Sequence, residues 1–313
     1  HFDASFAREV MQRTAAAVEQ SLSKARTITY VGSGKAKVEK VASNRRILGP
    51  GGKVVIVRYS SCRIPEAIAA PEGIIDPWFR LVSLCHEDEP LVCLTYYATH
   101  PQSYYGKGDV TAEFVGLARA QRDEETKVMH VHFTGAGGNV AAGKYNDGSP
   151  EVRPILMQRL AEGMRRAWEA TEKHPVTSQD VEWRVRPVAL EPAEDLQVDL
   201  LKEKLVDSNS SDRVRLSAAS DLAWLQRCQN GHKVEMTCLR LGPIYIVHMP
   251  GELFVEYALA AQEMRPDDLV CMAAYADYGT GYIATKIAYS QGGYETRPSV
   301  SRVARSSEHR LMP

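Results

Sequence analysis

The 313-residue sequence lacks most of the features that would settle its class at once. It has no excess of either charge: 38 Lys+Arg stand against 39 Asp+Glu, a formal −1. That removes the electrostatic basis for broad binding to nucleic acid or an anionic membrane. No apolar run reaches the ~18–20 residues that a membrane-spanning helix needs. None of the six cysteines sits in a Cys-x-x-Cys pair, which excludes the common zinc-ribbon and thioredoxin patterns. Cys85, Cys93, Cys238 and Cys271 lie in apolar, strand-like runs, where a thiol acts as a small core hydrophobe. Free thiols favour a reducing, cytoplasmic setting. With His1 in place of an initiating Met, a processed or excised product is expected, and export is left open.

What is present is ordinary globular material, 44% hydrophobic and 25% charged. The length allows about two domains or one large α/β unit, and a single domain over 1–313 is expected, with a possible seam at the polar stretch Asp207–Asp212. Apolar periodicity predicts a helix from Phe2 to Leu22, with Phe6, Val10, Ala17 and Val18 on one side. Strands are expected at Thr27–Gly34 and Val54–Tyr59, and a hairpin at Phe79–Cys85 and Leu91–Ala98. Asp109 is placed to cap a helix through Arg122. Strand Val128–Phe133 and a helix from Pro150 to Thr171 follow. Beyond them come strand Val181–Leu190 and helices Leu196–Leu205 and Ala218–Cys228. The last third gives strands Lys233–Leu241 and Ile244–Met249, helix Leu253–Met264 and strand Leu269–Tyr275. Recurrence of strand, Gly-bearing loop and helix argues for an α/β fold of stacked mixed β-sheets flanked by helices.

Strand-end loops are where such folds place ligands, and three of them carry unusual residues. In Ala98-Thr99-His100-Pro101-Gln102-Ser103-Tyr104-Tyr105, the proline holds His100 in extended geometry and fixes the ring's direction, as a metal ligand or general base requires. A hydrogen-bonded structural histidine fits the same pattern. Glu252 of Met249-Pro250-Gly251-Glu252 is either a ligand or base at a strand end or a favourable charge at a helix start. In Tyr275–Tyr282, tyrosines beside glycines can aim hydroxyls into a pocket. The loop Thr134–Gly143 holds four glycines and Asn139 but lacks the Lys-Ser/Thr of a P-loop, which leaves nucleotide binding a weak reading. His130 and His132 share a strand face, yet an His-x-His zinc pair would need partners that the sequence does not place nearby. His248 reads as core packing.

Taken together, Ala98-Thr99-His100-Pro101, Gly137-Gly138-Asn139-Val140, Met249-Pro250-Gly251-Glu252, and Gly281-Tyr282-Ile283-Ala284-Thr285 with Glu295 after Gly292-Gly293-Tyr294 resemble the catalytic domain of the neutral (non-lysosomal, alkaline) ceramidase family. The likeness is strongest to shorter bacterial ceramidase-like proteins. It runs from about Thr95 to Thr296, in matching order. In that family a zinc ion is held by a His of an early His-Thr-His, the His of a His-Pro segment, the Glu of Pro-Gly-Glu and a late Tyr. The resemblance therefore implies His100, Glu252 and Tyr282 as ligands of Zn²⁺. It also implies a zinc-activated water attacking an amide or ester carbonyl. Tyr278 or Asn139 would stabilise the oxyanion, and Gly137, Gly138, Gln102 and Tyr104 would line the substrate.

Three departures bear on this. No His-Thr-His occurs in the chain. The family's Gly-Asp-Val-Ser-Pro-Asn segment reads Gly138-Asn139-Val140-Ala141-Ala142-Gly143, with Ala141 where the family has its functional serine. No counterpart of the C-terminal immunoglobulin-like domain of longer ceramidases is expected. The expected function is a zinc-dependent hydrolase acting on an amide, or a related acyl bond, of a small or lipid-like substrate. The alternative is a non-catalytic ligand-binding module that keeps the fold without a complete zinc site. Polar or sugar-like substrate groups would suit the tyrosines, Gln102 and Lys107.

Overall fold

The computed structural model describes residues 3–276 and 280–312. Its centre is a pair of sheets whose inner faces meet. One has the strand order Met129–Thr134, Glu89–Tyr97, Trp78–His86, Tyr30–Lys37, Glu172–Pro175. The other runs Val181–Val188, Val234–Leu241, Ile244–Pro250, Leu269–Ala276. Period-two alternation sorts the side chains of each strand. Along Trp78–His86, Phe79 and Leu81 face helices while Val82 faces the second sheet. Along Ile244–Pro250, Ile244 and Ile246 face inward and Met249 outward. The seam between the sheets is closed by Val31, Val82, Tyr96, Ile246 and Cys271.

Helices Glu113–Thr126 and Val152–Glu169 cover the first sheet, burying Phe114, Ala118, Leu156, Leu160 and Met164 against Phe79 and Leu81. Helices Val255–Glu263 and Asp212–Gln229 send Tyr257 and Trp224 into the apolar cluster on the second sheet's other side. The result is the layered α/β arrangement of stacked sheets between helices that the sequence pattern predicts.

Each sheet contains one parallel pair. Glu89–Tyr97 runs with Met129–Thr134, and Ile244–Pro250 runs with Leu269–Ala276, while the remaining ladders of both sheets are antiparallel. The loops leaving these strands meet, with the Gly138 N–H donating to the Leu253 carbonyl at 2.7 Å. This is the edge where an α/β fold gathers functional groups.

Several local expectations shift. The helix expected to be capped by Asp109 begins at Glu113 behind Ala112. Thr111 Oγ1 takes the Glu113 N–H at 3.1 Å, and Asp109 stays exposed before it. Ser211 caps the helix expected from Ala218 by accepting the Val214 N–H, so that it starts at Asp212. The polar stretch 207–212 is the turn between that helix and Val198–Val206, which pack through Leu201, Ala218 and Leu225. Helix Ala4–Leu22 forms, with Asp3 accepting from the Ser5 and Phe6 amides, but none of its residues is buried. All six cysteines are free thiols. Among the described residues no helix is long and apolar enough to cross a membrane.

Candidate active site

His100 leaves the strand Glu89–Tyr97 and turns back beneath the glycine loop. Its Nδ1 lies 2.9 Å from the carbonyl oxygens of both Gly137 and Val140. Two acceptors there require Nδ1 to carry the proton, so Nε2 presents a lone pair. Glu252 follows Gly251, whose φ of +66° lets the chain turn sharply; a Cβ there would sit 2.3 Å from Thr280 Oγ1. The turn starts a short parallel ladder in which Glu252 is in register with Tyr282. The two side chains therefore emerge side by side. His100 Nε2 stands 3.5 Å from the Glu252 carboxylate and 3.3 Å from the Tyr282 hydroxyl.

A fourth group joins them. Arg45 Nη1 donates to the Tyr282 hydroxyl at 3.1 Å and lies 3.3 Å from His100 Nε2. Behind it, Glu295 forms an ion pair with Arg45, 3.2 Å from its Nε, and accepts a hydrogen bond from Arg46 Nη1 at 3.1 Å, all three side chains being almost wholly buried. Buried charges persist only when paired, and one carboxylate between two guanidiniums pairs both. Burial alone would lower the pKa of Arg45, but Tyr282 and Glu295 outweigh it and hold the guanidinium above its ordinary value. Burial pushes the Tyr282 phenol well above the ordinary tyrosine range, with Arg45 pulling against it. The rings of Tyr59, Tyr294 and Tyr282 stand around the Arg45 guanidinium at 5.3, 5.5 and 5.7 Å. His100, Glu252, Tyr282 and Arg45 all face one cavity of about 850 Å³.

Other residues expected at the site take different positions. Asn139 is fully buried and does not line the cavity. Its Oδ1 accepts the Val255 N–H at 2.8 Å and its Nδ2 donates to Glu256 at 2.9 Å, so both ends are committed to starting helix Val255–Glu263. It is a positioning residue and not the expected oxyanion donor. Gly137 and Gly138 do not line the cavity either. The first supplies the carbonyl that orients His100, and a Cβ on the second would lie 2.4 Å from the Glu252 carbonyl oxygen. Gln102 does line the wall, held by the Ser60 hydroxyl at 3.0 Å. Tyr104 turns away under Arg153, whose guanidinium sits 3.5 Å from its ring centre, and Tyr105 takes the place at the cavity. Tyr278 lies outside the described residues.

Ala141 is buried in a short ladder opposite Ser43, whose hydroxyl donates to its carbonyl at 2.9 Å, so the position contributes a methyl group to the core. His130, His132 and His248 serve the scaffold. His130 contacts Asp123 at 2.9 Å, and His248 contacts Thr237 at 3.1 Å. His132 contacts Thr95 at 3.0 Å and is pushed down to about 4 by burial and, less, by Arg119.

For a metal ion, the chain offers the Nε2 lone pair of His100, the Glu252 carboxylate and the Tyr282 phenol. Among the described residues no three His, Cys, Asp or Glu side chains gather. The donor chemistry suits zinc, because a histidine ligand is normally oriented by a hydrogen bond from its other nitrogen, as here. Arg45 Nη1, however, lies within hydrogen-bond reach of two of the three donors and would have to yield that place.

Sequence reasoning missed Arg45, Tyr59 and the pairing role of Glu295. The available signal was Ser43-Asn44-Arg45-Arg46 directly after the apolar Val41-Ala42, where two adjacent arginines demand buried partners.

No family model and no curated protein matches the sequence. Among solved structures, the neutral ceramidase from Pseudomonas aeruginosa is similar at a TM-score of 0.60 and 13% identity, over 90% of this chain and 50% of that one. A structure described as ceramidase complexed with C2 gives a TM-score of 0.60 at 14% identity, over 90% of this chain and 52% of that one. The chain spans about half the length of these relatives. Over nine-tenths of its own length, the chain has a fold like that of neutral ceramidase.

Proposed function

We propose that this chain is a zinc-dependent hydrolase that cleaves an amide, or a related acyl bond, in a small or lipid-like substrate. His100, Glu252 and Tyr282 are the metal ligands in this reading. The observation that carries it is the meeting of an imidazole nitrogen, a carboxylate and a phenol within 3.5 Å, from three distant points in the sequence. The likeness to ceramidases supports the choice of an N-acyl bond, and Ala141 in the serine position turns it away from ceramide itself.

A bound zinc ion would supply a water of pKa near ~7 and polarise the acyl carbonyl. The chain's own groups do the rest. The carbonyls of Gly137 and Val140 keep the His100 ring from turning. Glu295 and the tyrosine rings keep the Arg45 guanidinium beside the reacting centre, where a fixed positive charge stabilises an oxyanion as it forms. In the overall step the water oxygen joins the acyl carbon, the C–N bond breaks, and the departing nitrogen gains a proton.

A second reading, a ligand-binding module without catalysis, is favoured by one observation. Arg45 already satisfies Nε2 of His100 and the Tyr282 hydroxyl as a permanent cation. Elemental analysis of purified protein, with assays on short N-acyl substrates, separates the two. About one zinc per chain is expected, lost together with hydrolysis in His100→Ala and Glu252→Ala. Stoichiometric zinc that survives both substitutions would remove the ligand assignment. Metal-free protein that binds an amide without cleaving it would establish the second reading.

A further inference from the structure

We propose that the cavity at His100 takes a polyhydroxylated N-acyl compound, of the chemical class of N-acylated amino sugars, in preference to a long-chain lipid amide. This deepens the hydrolase reading and rests on it. The argument starts from the wall. Among the described residues lining the cavity, Pro101 and Val300 are the only aliphatic side chains. Besides His100, Glu252, Arg45 and Arg302, the described wall carries five tyrosines, the hydroxyls of Ser60, Ser61, Thr134 and Ser299, and the amide of Gln102. An alkyl chain gains about 0.8 kcal/mol per methylene where it meets apolar surface, and loses much of that against hydroxyls whose water it strips. A sugar ring has the opposite profile. Its C–H faces lie on aromatic rings while its hydroxyls replace the stripped water.

The tyrosines are disposed for that role. Tyr59, Tyr105 and Tyr275 are 45%, 75% and 40% exposed, an unusual gathering of open aromatic rings at one cavity. Tyr59 meets Tyr294 nearly edge-on at 5.6 Å, which makes a corner of two ring faces. Tyr275 holds its place at φ +64°, a left-handed conformation that is strained for a bulky side chain and persists where the surroundings enforce it. The volume of about 850 Å³ falls within the ~300–1,000 Å³ common for small-molecule sites.

A second cavity in the molecule has a more aliphatic wall. A groove of about 710 Å³ along the second sheet carries Met236, Met249, Met264, Met272, Val247 and Val270 on its wall, together with Glu182 and four arginines. Aliphatic surface of that kind is missing from the described wall beside His100.

The test is titration calorimetry and saturation-transfer NMR on the full chain, with and without zinc. The probes are the methyl glycoside of N-acetylglucosamine and N-octylacetamide. The sugar amide is expected to bind at least about tenfold more tightly. Tyr59→Leu, at a half-exposed position that the fold tolerates, and Ser299→Ala should each weaken the sugar amide severalfold. Both should leave the octyl amide unchanged or tighter. Equal or tighter binding of the octyl amide, failure of the sugar amide to bind, or indifference of its binding to both substitutions would overturn the proposal. A sugar amide that binds as expected but is not cleaved by the zinc-loaded protein would sink the hydrolase reading and leave the specificity standing.

Discussion

The cavity at the strand ends and the methionine-rich groove along the second sheet draw on adjoining residues and differ in their apolar surface, aromatic in the one and largely aliphatic in the other. Met249 lines the groove, while Glu252, three positions on, lines the cavity. In the groove the wall comes from strand middles and a helix, where period-two alternation sorts side chains by polarity. At the cavity the wall comes from the loops that end both parallel pairs and from the segments around Arg45, Tyr59 and Tyr294. There the backbone can bring Arg45, His100, Glu252, Tyr282 and Glu295 together. A buried charge cluster of this kind is tolerated because every member is paired, and its cohesion depends on all of them.

That contrast can be broken on purpose. Glu295→Ala would leave two buried guanidiniums without their carboxylate, and a loss of about 3–5 kcal/mol in urea unfolding is expected. Met264→Ala at the rim of the groove should stay within ~0.5 kcal/mol in the same measurement. Similar losses in both would mean that the charge cluster is not the stiffer region. Acid gives the next largest effect. His132 lies on the strand that leads into the cavity, and its native pKa of about 4 is below the unfolded value of 6.5. The native state therefore prefers the neutral ring, and the stability is fully present above pH 6.5. It drains away as pH falls toward about 4, by about 3 kcal/mol in all. His132→Phe should flatten that slope in unfolding curves taken at stepped pH. An unchanged slope would place the acid sensitivity elsewhere. The smallest effect is local: Gly138→Ala sets a methyl group against the Glu252 carbonyl and should cost about 1–3 kcal/mol. If zinc binds as proposed, the substitution should also weaken that binding about tenfold, as read by competition with a chelator. Unaltered zinc affinity would show that the glycine contact does not place Glu252.

Much of the scaffold was legible because alternation and helical periodicity are local. The strands through Val82, Tyr96 and Ile246 sit within a residue or two of their expected bounds. Helix starts were less legible, since Thr111 and Ser211 act through single hydrogen bonds that other nearby polar residues could equally have made. At the site, His100, Glu252 and Tyr282 could be singled out because each follows a strand and sits beside Pro or Gly. The structure brings those three together. Asn139 was misjudged because a side-chain amide at a glycine loop serves equally well to bind an oxyanion or to start a distant helix. Arg45 stayed invisible because its meaning depends on Glu295, 250 positions away, and no periodicity links them.

The imidazole sits on the loop that leaves one sheet, while the carboxylate and phenol sit on the short two-stranded ladder that follows the other. Their spacing is thus a gauge of how tightly the two layers of the sandwich are pressed together. A truncation of Ile246, deep in the seam and touching none of them, would let the layers shift and draw the donors out of reach of one another. Under the proposed function, hydrolysis by such a variant would fade on warming before the chain itself comes apart.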